Sequence, residues 1–98
     1  MEGKLKLTVN DVPIKTDHFV ADFVEHTISG MIESLEGAGK ADNLTLTIDG
    51  DSVQIKLKGV DLPINDFAGR IIKSTIMGML APLKGVKDVK KVSIVIHK

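Results

Sequence analysis

Cysteine, tryptophan and tyrosine are absent from this 98-residue chain, and Phe19, Phe23 and Phe67 are its whole aromatic content. Without a thiol there can be no disulfide, thiolate metal site or cysteine nucleophile. So few rings leave little with which to stack unpaired bases, the usual device of single-strand readers. Net charge is missing as well, since 13 basic side chains balance 13 acidic ones. No bulk field therefore draws the chain to nucleic acid or to an acidic membrane. No segment approaches the roughly 18 consecutive apolar residues of a membrane span. The opening MEGKLKLTVN lacks the apolar stretch of a secretion signal, so the expectation is a cytoplasmic protein that does not enter a membrane.

What is present suits a folded domain. The composition is 43% hydrophobic and 27% charged, ordinary for a globular chain, and the length fits one domain over 1–98 with a thin core. The zero net charge hides an asymmetry. Residues 1–50 hold four lysines against nine acids, and residues 51–98 hold nine bases against four acids. The two halves should attract each other, within one chain or between chains.

An offset of 48 residues organises the chain. It lays FVADFVEHTISGMIESLEG (19–37) on FAGRIIKSTIMGMLAPLKG (67–85) without a gap, matching Phe19 to Phe67, Gly30 to Gly78, Met31 to Met79 and Gly37 to Gly85. The flanking alternations superpose too, Leu5-Leu7-Val9 on Val53-Ile55-Leu57 and Leu44-Leu46-Ile48 on Val92-Ile94-Ile96. VPIKTDHF and LPINDF correspond with a two-residue length difference. Two amphipathic helices would share periodicity by chance, but not these glycines. The reading is an internal duplication of two tandem repeats, about 4–49 and 52–97.

Each repeat reads strand, loop, helix, strand. Period-two alternation predicts strands at Lys4–Val9 and Val53–Leu57, with short extended pieces at Val12–Ile14 and Val60–Ile64. Asp17 or Thr16, and Asn65 or Asp66, are suited to cap helices over about 18–35 and 66–81. Gly37 and Gly85 are placed to end those helices, with Pro82 shortening the second. Asp49-Gly50 signals a hairpin. The resulting β-α-β-β-α-β order resembles the split βαβ pattern of ferredoxin-like domains, which implies a four-stranded antiparallel sheet with both helices on one face. In that order the first and third strands are central neighbours, which would set Lys6 beside Lys56. The alternative is a dimer in which the VPI and LPI pieces add strands. No site motif of that superfold transfers: there is no CxxC, no RNA-binding aromatic set and no arginine-bearing phosphate loop.

Two surfaces are candidates. The apolar arc of each helix spans roughly 220°, against the roughly 100° needed to cover a sheet. The surplus points to helix packing or self-association through Val24, Ile28, Gly30, Met31 and Ile32, and through Ile76, Met77, Gly78, Met79 and Leu80. Gly30 and Gly78 each cost about 1 kcal/mol in mid-helix, which suggests close helix crossing. The second surface is the outer sheet face, where Lys4, Lys6, Lys56, Lys58 and Lys91 offer an anion or nucleic-acid contact.

Chemistry finds little support. His18, Asp22 and His26 follow one another at helical spacing, yet the two histidines stand about 12 Å apart along the axis, too far to share one ion. The second repeat has Asp66, Arg70 and Ser74 there. EGAGKAD (36–42) places its glycines after a helix rather than before one, so it is no phosphate loop. The expectation is therefore a non-catalytic interaction or scaffold domain acting as a homodimer, with no metal and no cofactor. The alternative is anion or nucleic-acid binding by the lysine-bearing face, and the third is an enzyme centred on His18, Asp22 and His26.

Overall fold

Alternation of apolar and polar side chains gives each long strand one face to bury, and a single sheet collects those faces. The computed structural model describes residues 4–35, 43–83, 86 and 88–97. Along the chain run β1 (Lys4–Val9), β2 (Val12–Pro13), α1 (His18–Glu33), β3 (Leu44–Asp49), β4 (Ser52–Leu57), β5 (Val60–Asp61), α2 (Asp66–Leu80) and β6 (Lys91–His97). The fold is α+β, with two helices and a six-stranded sheet in the order β2-β1-β6-β3-β4-β5, every neighbouring pair antiparallel.

This order corrects two expectations. The sheet has six strands rather than four, because Val12–Pro13 and Val60–Asp61 fold back on β1 and β4 as edge strands. The central neighbours are β6 and β3, the strands that follow the helices, while β1 and β4 lie outside them. Lys6 therefore pairs with Val95 and Lys56 with Thr45, and the two lysines end one cross-strand row about 14 Å apart, three strand spacings.

Three pairs of elements share a spacing of 48 residues, and β3 and β6 begin 47 apart. α1 and α2 begin 48 residues apart, as do β1 and β4, and β2 and β5. Exchanging the halves maps the strand order onto its own reverse. In the β3–β6 ladder Leu46 faces Ile94, its own counterpart, so that pair marks the centre. The offset runs through the edge strands without a gap. The Ile14 amide donates to the Leu7 carbonyl and the Leu62 amide to the Ile55 carbonyl, each at 2.9 Å. The two-residue length difference between VPI and LPI is thus replaced by one register in which Ile14 matches Leu62.

Local chemistry explains the turns. Asn10 and Asp11 have φ of 51° and 66°, and Lys58 and Gly59 have 52° and 80°. These two-residue loops with both φ positive suit the twist of a hairpin. Gly50 alone has positive φ in the β3–β4 loop, the pattern of a type II′ turn. The helix caps are Asp17 and Asn65, whose side-chain oxygens accept from the amides of Val20 and Ala68 at 2.8 Å. Gly37, Gly85 and the 36–42 stretch lie outside the described residues.

The core lies between the helices and one sheet face. Buried Leu7, Val9, Leu44, Leu46, Ile48, Ile55, Val92, Ile94 and Ile96 meet Val24, Ile28, Ile32, Ile72, Ile76 and Leu80 in one hydrophobic cluster. Leu5, Val53 and Leu57 pack against it half-buried. All these strand residues belong to the face expected to be inner, so both helices cover the same side. The Asn10 side chain ties the β1–β2 turn to the segment leading into β6. Its Oδ1 accepts from the amides of Lys90 and Lys91 at 2.9 and 3.0 Å, and its Nδ2 donates to the Asp88 carbonyl at 3.0 Å. Asn10→Ala strands two amides and is expected to lower stability by about 2 kcal/mol, read as a shift of the urea midpoint with an unchanged slope.

Candidate functional site

The helices present their outer surface through a simple wheel. In α1 the residues facing the sheet are Val24, Ile28 and Ile32, and in α2 they are Ile72, Ile76 and Leu80. Of the ten residues expected to pack or associate, Val24, Ile28, Ile32, Ile76 and Leu80 are core. Met31, Met77 and Met79 are half-buried at its margin, and Gly30 and Gly78 are exposed. The buried five serve packing within the chain.

The outward face holds residues that the arc alone did not single out. Phe19 is 74% exposed, Phe67 71%, Phe23 52% and Ile71 46%. The Phe19 and Phe23 rings stack with centroids 6.1 Å apart. Phe19 and Phe67 stand at the second position of their helices, where a carboxylate would be favoured by the free amides. That misplacement, repeated at the same offset, is the signal in the sequence that could have found the face.

The role expected for the glycines is corrected. A Cβ built on Gly30 or Gly78 meets nothing within 4 Å, so no helix crossing inside the chain requires them. Both leave open space on the outward face instead. Gly78 helps line an apolar groove of about 440 Å³ between the start of α1 and the end of α2, with Phe19, Val20, Phe23 and Val24 opposite Thr75, Met79, Pro82 and Leu83. The start of one helix thus lies beside the end of the other, as antiparallel helices require.

The opposite sheet face carries Thr8, Thr45, Thr47, Ser93 and Val95 across its middle, half-buried. Lys6 and Lys56 are exposed at its sides. Lys4 opens β1 opposite His97. Lys91 stands 3.8 Å from Asp11, and Lys58 sits in the β4–β5 turn rather than on the face. Lys6 and Lys56 do not lie side by side.

His18 Nε2 lies 3.4 Å from Asp22 Oδ2 on the exposed side of α1, and His26 follows one turn later, also exposed. Among the described residues no three His, Cys, Asp or Glu side chains are placed to hold a metal ion. A polar cleft of about 700 Å³ lies between β4 and the start of α2, lined by Asp51, Ser52, Asn65, Asp66, Arg70 and Lys73 among others. Lys73 is held 3.1 Å from Asp51, so acid and base offset each other there. No helix among the described residues is long and apolar enough to cross a membrane. Comparison with protein-family models, with curated proteins and with solved structures gives no match.

Proposed function

We propose that this protein is a small interaction domain, built by duplication of a 48-residue unit, that acts as a homodimer through the outward face of α1 and α2 and has no catalytic step of its own. One observation carries the reading: every phenylalanine of the chain is exposed on that face. Large rings are otherwise the preferred filling of cores and interfaces, and grouped apolar exposure marks a contact surface. The duplication is supported by the shared offset of strands, caps and turns, and the halves retain a split βαβ character because each helix joins two strands that flank a third.

A second copy is the occupant that the symmetry favours. Exchange of the halves repeats Phe19 as Phe67 and Gly30 as Gly78 and sets Ile71 where α1 has Phe23, and a two-fold contact needs a self-matching surface. The molecule measures 35 × 32 × 19 Å, a slab whose broad face accommodates the roughly 800 Å² per partner of a stable interface. The edges are poorer candidates, since they are closed by two-residue strands, one of which carries Pro13, and short or proline-bearing edges resist pairing. The lysine-bearing sheet face, the other reading, has spread charges and no aromatic side chain among the described residues.

The glycines test the proposal through opposite signs. Alanine in place of a helix-interior glycine gains up to about 1 kcal/mol, less at Gly30 and Gly78, which lie in the last turn of their helices, and both positions have room for the methyl group within the chain. Gly30→Ala with Gly78→Ala is expected to raise the urea midpoint at dilutions where the chain is monomeric, yet weaken self-association about tenfold. Sedimentation equilibrium and denaturation read the two effects separately. Stronger folding with unaltered association would place the contact elsewhere and overturn the reading.

A further inference from the structure

We infer that the two copies meet with α1 of one lying antiparallel across α2 of the other, which sets His26 of one copy over Ser74 of the other. This rests on the self-association reading above and adds the placement. The helices of one chain run antiparallel, with Phe19 and Phe23 at the start of α1, Phe67 at the start of α2, and a glycine near the end of each. Two face-to-face two-fold placements set every aromatic end over a glycine end. With the axis parallel to the helices, unlike helices pair. With the axis across them, α1 pairs with α1 and α2 with α2. Shape does not choose between these placements.

Charge does. α1 exposes Asp22 and Glu33 and contains no lysine or arginine, whereas α2 carries Arg70 and Lys73 against the single acid Asp66. Pairing like helices would set the acids of α1 against the same acids and Arg70 against Arg70. Pairing unlike helices sets the acidic α1 against α2, where two bases outnumber one acid, and the excess of acids in residues 1–50 and of bases in residues 51–98 has the same sense. Opposed charges across a contact fix register and suppress wrong pairings more than they add affinity. His26 and Ser74 are counterparts at the offset, near the middle of their helices and exposed, so each placement gives a distinct pairing at the centre.

The chain has no cysteine, so engineered thiols report the placement without background. His26→Cys and Ser74→Cys chains are prepared singly and mixed at equal concentration under mild oxidation, with products separated on a non-reducing gel and identified by mass. The expected result is a mixed 26–74 disulfide at least about fivefold more abundant than either self-linked product. Self-linking of His26→Cys alone, or of Ser74→Cys alone, at equal or greater yield would overturn the placement. Arg70→Glu gives a second reading that needs no oxidation. It is expected to raise the dimer dissociation constant about tenfold, and Asp22→Lys with Glu33→Lys in the same chain is expected to restore most of it. An unchanged constant in Arg70→Glu contradicts the unlike pairing. The mass of the unaltered chain separates the two claims. A monomer defeats self-association itself, whereas a dimer without the preferred disulfide defeats only this placement.

Discussion

Replacing Phe19 and Phe67 together by glutamate is expected to turn the proposed dimer into a monomer that is at least as stable as the parent monomer. The two rings are 74% and 71% exposed, so the single chain gives up little buried area when they go. Each stands at the second helical position, where α1 has no acidic residue in its first turn. A carboxylate there faces free amides and gains about 0.5 kcal/mol in α1, and less in α2, whose first turn already holds Asp66. In the dimer the same change removes four rings and buries four charges. Central aromatic residues of an interface commonly contribute 2 kcal/mol or more each, so the dissociation constant is expected to rise at least about 100-fold. Light scattering reads the mass, and urea denaturation at low concentration reads the monomer. A variant that stays dimeric would remove the phenylalanines from the contact, and one that unfolds would assign them to the core.

Leu46→Ala should have the opposite profile. Leu46 lies at the centre of the exchange between halves, fully buried, facing Ile94 across the central strand pair. Truncating a buried leucine typically costs 2–5 kcal/mol, the lost burial plus the cavity left behind. A chain of this length has a total stability of roughly 5–15 kcal/mol. A loss of about 3 kcal/mol therefore removes a large fraction, and the thermal midpoint is expected to fall by roughly 15 °C. The comparison is cleanest in the Phe19→Glu, Phe67→Glu background, where mass action from association does not add to the apparent stability. A shift below about 1 kcal/mol would show that the central ladder can close around the missing side chain.

These two substitutions separate what the sequence shows from what it hides. Period-two alternation placed Leu5, Leu7, Val9, Leu44, Leu46 and Ile48 with their counterparts on one face, and the structure has them there. It placed the caps within one residue, at Asp17 and Asn65. Strand neighbours were not legible, because alternation says which face a residue takes and is silent about which strand lies beside it. A split βαβ pair can have either its first or its last strands in the centre, and both arrangements satisfy the usual crossover hand. The outward site was half legible. A wide apolar arc shows that surplus surface exists, but not which part meets the sheet. Ile28 fixes the buried centre of α1, and only then do Phe19 and Gly30 fall on the opposite side. Gly30 and Gly78 were read as a cost accepted for close approach. The space beside them is open, so no neighbouring helix within the chain requires them.

The measurement that tests the central claim most directly is the solution mass of the unaltered chain, by light scattering coupled to size exclusion, at about 50 and about 500 mM salt. Apolar contacts survive the stronger screening, whereas contacts held mainly by exposed charges do not. A mass near twice the 10.6 kDa of the chain at both salts is the predicted result. A mass of one chain at both would contradict self-association through the helix face.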